Sequence, residues 1–175
     1  YRYGRNGEWI FVDKEYFKQF EPDFEIEVSG DEVILKKYKG NEEKVVIPKG
    51  ITSIGYGAFA LYPDLNTVTF EGTIEDWCKI NMPKEIVSGQ ETIYLEINEL
   101  LVSNITIPET ITAIKPYAFK FCYVSKVTIH EYVSSIGDQA FYDCSSLTSI
   151  DIPNSVISMG AKVFSGCSNL KDIYI

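Results

Sequence analysis

The sequence predicts an α/β repeat solenoid: a right-handed stack of 22–23-residue turns, mostly parallel β with short helical turns. Three observations carry this prediction. First, four segments align on a Phe: Ile54-Gly-Tyr-Gly-Ala-Phe59, Ile114-Lys-Pro-Tyr-Ala-Phe119, Ile136-Gly-Asp-Gln-Ala-Phe141 and Met159-Gly-Ala-Lys-Val-Phe164, the last three spaced 22 and 23 apart. Second, an Ile stands twelve residues before each anchor, at 47, 107, 129 and 152, and Pro follows it at 48, 108 and 153. Third, Leu147-x-x-Ile150-x-Ile152 returns as Leu170-x-x-Ile173-x-Ile175, and Leu65-x-x-Val68-x-Phe70 follows the first anchor in the same way.

Each piece of one turn has a physical reading. The alternation at Leu-x-x-Ile-x-Ile is that of a strand with one apolar face, leaving Thr69, Thr128, Asp151 and Tyr174 on the other. Pro then ends the strand, because it has no N–H to give to a ladder. A second short alternating piece follows, such as Val133-Ser-Ser-Ile136. Gly55, Gly137 and Gly160 come next, where a sharp bend or a positive φ is expected. The Ala-Phe pair should lead into a short helical turn whose Phe plugs the interior. A single turn cannot bury its own apolar face, so neighbours stack at about 4.8 Å with two parallel ladders and one continuous core.

Residues 1–46 are expected to form an N-terminal cap, and they hold nine of the 24 aromatics. Arg5-Asn-Gly7 signals a turn, Glu8–Val12 a strand, and Asp13 an N-cap for a short helix to about Phe20, closed by Pro22. Phe24–Val28 and Val33–Leu35 flank Ser29-Gly-Asp31 as a hairpin. Residues 47–70 form the first repeat. Residues 71–104 are an irregular insert, since Phe59 and Phe119 are 60 residues apart rather than 46. Within the insert, Ile74–Ile80 reads as a helix with Trp77 on the core, and the stretch through Leu95, Ile97 and Leu100–Val102 as strand-loop-strand. Residues 105–175 hold three consecutive repeats and end on an uncapped strand, an edge open to pairing with another chain.

The composite pattern Ile-Pro-x-x-Ile/Val-x-x-Ile-Gly-x-x-Ala-Phe-x-x-Cys-x-x-Leu-x-x-Ile-x-Ile resembles the BspA-like leucine-rich repeat family, best at Ile129–Ile152 with Cys144 and Leu147 in place. The resemblance covers about residues 45–70 and 105–175. It implies a leucine-rich-repeat stack and a bacterial protein that is secreted or displayed on the cell surface, in some members an adhesin for host extracellular proteins or other cells. Departures from the pattern are Lys115-Pro116 where Gly is usual, His130 for Pro, Val163 for Ala, and a Cys122–Val124 stretch one residue short. The chain begins at Tyr1 without an initiator Met, a basic segment or an apolar leader, and the sequence leaves open whether a leader was removed.

Composition narrows the function. Hydrophobic residues at 45% and charged residues at 23% suit a folded domain, and no run of 18 apolar residues suggests membrane insertion. The net charge is −9, and residues 51–100 carry only Lys79 and Lys84 against eight acids. That balance excludes nucleic acid as an expected partner, because phosphate binding needs clustered Lys and Arg. No CxxC occurs and His130 is the single histidine, so neither a metal site nor a cofactor is expected. Cys122, Cys144 and Cys167 share one repeat position and should stack as buried thiols, and Cys78 reads as structural. His130 has no nucleophile at an unusual position nearby, and Glu75 and Asp76 diverge on a helix, so the chain is not expected to be an enzyme.

The outward side chains of the main sheet are the expected partner-binding residues: Thr67, Thr69, Lys126, Thr128, Ser149, Asp151, Asp172 and Tyr174. About five turns give a face of roughly 250 Å², short of the ~800 Å² per partner of a standard interface. The reading is an extracellular or surface-displayed interaction or adhesion module for a protein or glycan, host extracellular matter included. It would bind through the concave sheet and adjacent loops, helped by multivalency. The alternative is a spacer region presenting another domain of a longer protein.

Overall fold

The computed structural model describes residues 2–3, 9–10, 14–60, 62, 64–85 and 93–175. The predicted turn at 5–7 and the N-cap Asp13 lie outside these residues. Strands β1 (Arg2–Tyr3) and β2 (Trp9–Ile10) pair antiparallel. Helix α1 (Lys14–Lys18) follows and gives way after Lys18 to successive tight turns, Phe20 N–H to Phe17 O and Glu21 N–H to Lys18 O, short of the helix expected to Phe20. A hairpin of β3 (Phe24–Ser29) and β4 (Glu32–Tyr38) turns at Gly30, φ 63°.

From there the chain is a β-solenoid of stacked turns. Each regular turn contributes a longer strand to a main ladder and a two-residue strand to a second one. The main-ladder strands are β5 (Lys44–Ile47), β7 (Thr67–Phe70), β8 (Tyr94–Ile97), β10 (Asn104–Thr106), β12 (Lys126–Thr128), β14 (Ser149–Asp151) and β16 (Asp172–Tyr174), with β9 (Leu100–Leu101) folded back on β8. The second ladder holds β6 (Ser53–Ile54), β11 (Ala113–Ile114), β13 (Ser135–Ile136) and β15 (Ser158–Met159). The main ladder is two sheets, ordered β5-β7-β8-β9 and β10-β12-β14-β16, and every pairing except β8–β9 is parallel. The second ladder runs as β11-β13-β15, while β6 joins β4, so the hairpin is the first rung beneath it.

The third side of each turn departs from expectation. Among the described residues no helix directly follows the Ala-Phe pairs. Instead, alternate amides bond within the turn and to the next one: Tyr117, Phe119 and Phe121 donate to the carbonyls of Asp138, Ala140 and Tyr142, and Gln139, Phe141 and Asp143 to those of Ala161, Val163 and Ser165. This needs left-handed residues at regular places. They are Gly57 (φ 67°), Tyr117 (62°), Gln139 (53°) and Lys162 (57°), and four residues on Phe121 (64°), Asp143 (55°) and Gly166 (83°). Left-handed residues break a helix, so the predicted helical turns become a third hydrogen-bonded seam.

Gly137 and Gly160 therefore serve a different purpose from the one expected: neither has positive φ. A Cβ on Gly137 would lie 2.4 Å from Pro116 N, and one on Gly160 2.4 Å from Asp138 N. Glycine stands there because the backbone of the preceding turn leaves no room for a side chain.

The interior is the predicted stack. Phe59, Phe119 and Phe141 are fully buried, and the rings of Phe119, Phe141 and Phe164 stack at 5.5 and 5.8 Å, within 9° of parallel. Leu147, Ile150 and Ile152 are buried beside them. Between Phe59 and Phe119, helix α2 (Ile74–Lys79) starts with a capping box, Thr73 and Asp76 each bonding the other's backbone N–H. Trp77 is buried against Phe70 and donates its indole N–H to Ala118 O at 3.0 Å, which ties the insert to the next anchor. The shortened Cys122–Val124 stretch is absorbed locally: Val124 N–H bonds Cys122 O, and Val124 takes the buried place that Leu147 holds one turn later.

Two substitutions test this packing. Phe141→Ala should cost about 3–5 kcal/mol, measured by urea unfolding, because both stacked neighbours lose a face. Gln139→Gly should stabilise by on the order of 1 kcal/mol in the same assay, by removing the Cβ penalty at a left-handed position.

Candidate functional site

The outward face of the main ladder is a feature that the repeat places at the surface. On the second sheet, Lys126, Ser149 and Asp172 share one cross-strand row, and Thr128, Asp151 and Tyr174 share the next. Lys126, Thr128, Asp151, Asp172 and Tyr174 are exposed, and Ser149 is half-buried. Asn104 and Thr106 extend the same rows on β10.

Thr67 and Thr69 do not belong to that surface. They lie on the first sheet, beyond the β8–β9 hairpin, in rows with Lys44 and Tyr94 and with Val46 and Glu96. Thr67 is half-buried, and Thr69 is only 1% exposed. The expectation of an accessible Thr69 fails because Glu96 covers it: Thr69 Oγ1 donates to Glu96 Oε2 at 2.6 Å, and Lys44 Nζ donates to the same oxygen at 2.7 Å. Those two bonds, Lys44 first, hold the Glu96 carboxyl below its usual range.

Sequence reasoning missed Lys44, Val46, Tyr94 and Glu96. Lys44 was findable, since it stands one period of 23 before Thr67. Tyr94 was not, because it follows Thr67 by 27 and the insert hides the register. Tyr123 was missed as well; its ring lies 5.2 Å from that of Tyr94.

The remaining chemical candidates have structural partners. His130 Nε2 lies 2.8 Å from Pro108 O, and its Nδ1 accepts the Tyr132 N–H at 3.1 Å. The ring thus bonds backbone through both nitrogens. Glu75 pairs with Lys79 at 2.6 Å, and Asp76 serves the helix cap. Lys115, in the place of the usual Gly, reaches back to Lys79 O and Asn81 Oδ1 at the end of α2, and burial lowers its pKa. Lys120 is 8% exposed, donates to Lys84 O at 2.9 Å, and sits over the rings of Phe121 and Tyr142 at 4.8 and 5.0 Å. Among the described residues no group of three or more His, Cys, Asp or Glu gathers as metal ligands, and no helix is long and apolar enough to cross a membrane.

The cysteines are free and buried. Cys144 and Cys167 donate their S–H groups to Phe119 O and Phe141 O, the anchor of the preceding turn in each case. Burial raises Cys78 and Cys122 from an ordinary 9.0 to about 12.

The profile of the BspA type Leucine rich repeat region matches residues 37–86 and 96–175 as six copies. The chain belongs to this family. No curated protein is significantly similar to it. Among solved structures, a leucine rich cell surface protein from Faecalibacterium prausnitzii is 21% identical over 86% of this chain and 52% of its own, with a TM-score of 0.46. The leucine rich repeat protein of T. pallidum is 20% identical over 87% of this chain and 79% of its own, TM-score 0.48. A leucine-rich repeat protein from Eubacterium ventriosum is 26% identical over 75% of this chain and 36% of its own, TM-score 0.49. The chain thus spans about half of the first of these proteins and about a third of the last.

Two readouts check the thiols. Iodoacetamide at pH 8 should label the native protein slowly and modify all four cysteines once it is unfolded. Stability should also fall as pH rises from 9.0 toward about 12, because the unfolded chain ionises Cys78 and Cys122 where the native state holds them neutral. A flat urea-unfolding free energy across that window would contradict their burial.

Proposed function

We propose that this BspA-type chain is a secreted or surface-displayed interaction module. It binds a macromolecular partner through the outward face of its main ladder and the adjoining turns. The observation that supports the reading is the exposed row pair on β12, β14 and β16. Its side chains (Lys126, Asp151, Asp172 and Tyr174 among them) stand on a backbone pinned on both edges of every inner strand. A rigid ladder presents side chains at low entropic cost, which is what a repeat surface contributes to recognition. Leucine rich repeat proteins as a class mediate protein–protein contacts, and the F. prausnitzii relative is described as a cell surface protein. The net charge of −9 points away from nucleic acid.

The test is a binding screen of the chain, displayed on a multivalent support, against host extracellular proteins and glycans. Its control carries Lys126→Glu, Asp151→Lys and Tyr174→Ala. Saturable binding that falls at least about tenfold in the control, with the melting curve unchanged, is the expected result. Retained binding in the control would move the site to the first sheet or the N-terminal elements. No binding to any macromolecule would favour a spacer that presents another domain.

A further inference from the structure

The junction between the two main-ladder sheets carries an arrangement that the repeat does not explain. Tyr94 opens β8 and Tyr123 precedes β12, and their rings meet at 5.2 Å and 37°. Both are partly open, at 39% and 37% exposure. Backbone holds them in place: Ile93 bridges Cys122, Ile93 N–H bonds Phe121 O, and Tyr123 N–H bonds Ile93 O. With the backbone at the foot of both rings hydrogen-bonded and the rings in mutual contact, the pair forms a platform on which a ligand can stack.

Glu96 stands on the same strand face as Tyr94, two residues along, about 7 Å away. Its Oε2 is fully used by Lys44 and Thr69. Among the described residues its Oε1 accepts no hydrogen bond, although the side chain is only 19% exposed. A carboxylate oxygen is thus oriented and left open beside an aromatic platform. Leu101, paired with Glu96 and 49% exposed, borders it with apolar surface.

We propose that this junction, Tyr94, Tyr123 and Glu96, binds a neutral pyranose residue of a glycan. A pyranose has an apolar C–H face, which the tyrosine platform takes, and hydroxyls at its edge, one of which donates to Glu96 Oε1. Charge decides between ligand classes. Lys44 already neutralises Glu96, so among the described residues Tyr94, Tyr123 and Glu96 leave no unmatched charge to draw an Arg or Lys side chain or an acidic sugar. The acid excess of residues 51–100 opposes acidic sugars further. Size agrees, because a patch of two tyrosine rings and one carboxylate matches one or two sugar rings and falls well short of the ~800 Å² per partner of a standard protein interface.

This inference rests on the interaction-module reading and gives that module a ligand class. The test displays the full chain on beads against oligosaccharides ending in glucose, galactose, mannose or N-acetylglucosamine. Sialylated and sulfated glycans and an Arg/Lys-rich peptide serve as comparators. At least one neutral series should bind saturably. Tyr123→Ala and Glu96→Gln should each weaken it at least about tenfold, whereas Glu109→Gln, at an exposed turn position outside both faces, should leave it unchanged. On the unaltered chain, saturation-transfer NMR should place the sugar against tyrosine ring protons, a readout independent of whether a variant folds. Absence of neutral-glycan binding, binding confined to the acidic glycans or the peptide, or binding untouched by Tyr123→Ala would overturn the proposal. If a protein partner still binds through Lys126, Asp151 and Tyr174, this inference fails alone; if no macromolecule binds, the broader reading fails with it.

Discussion

The structure depends on how closely the backbone of one turn approaches the next. Each regular turn is joined to its neighbour along three seams: the main ladder, the second ladder, and the alternate amides around the anchor Phe. None of the three tolerates much extra spacing, and the third needs residues in the left-handed region to aim its N–H groups along the stack. The core follows from the same spacing. Flat Phe rings 5.5 and 5.8 Å apart and thiols aimed at the preceding anchor's carbonyl are what fits between turns so close. The short aliphatic pair Ala140 and Val163 fills the space before each ring.

The stretch between Phe59 and Phe119 shows what happens where that approach is lost. Among the described residues between β6 and β11, the second ladder carries the single bridge of Ser53 to Asn81. Side chains then replace backbone. Trp77 spans the core to Ala118, Lys115 fastens the end of α2, and Lys120 reaches Lys84 O from a nest of aromatic rings. Lys115 departs from the Gly of the repeat because the turn beneath it is α2 and Asn81 rather than another close-packed strand. The departure is a consequence of the insert. The same break splits the main ladder, turns β9 back on β8, and brings Tyr94 and Tyr123 together from different sheets.

This contrast explains what could be read in the sequence. The period, the anchors and the buried Cys and Leu positions were legible, because identical packing demands the same residue types every 22–23 positions. The role of Gly137 and Gly160 was not: a glycine required by a neighbour's backbone looks the same in sequence as one required by its own φ. Nor was the left-handed place of Tyr117, Gln139 and Lys162, three residue types with nothing in common but a tolerated strain. Strand pairing sets Lys126, Ser149 and Asp172, and Thr128, Asp151 and Tyr174, in the rows that alternation predicts, while Thr67 and Thr69 fall on the other sheet. Alternation puts Thr69 on the outward face, yet only the fold reveals that Glu96, 27 residues on, closes over it. Contacts across the insert have no fixed spacing, so periodicity cannot find them.

The central claim is that backbone proximity between turns holds the stack together, and Gly137→Ala tests it most directly. The added Cβ meets the backbone of Pro116, 21 residues earlier, and strains nothing in its own φ. Residue-resolved amide hydrogen exchange on this variant should show protection falling on both sides of the contact, at Ala118–Phe121 as well as at Ile136–Phe141, with β3 and β4 unaffected. Loss of protection confined to Gly137 and its immediate chain neighbours, or none at all, would contradict the account.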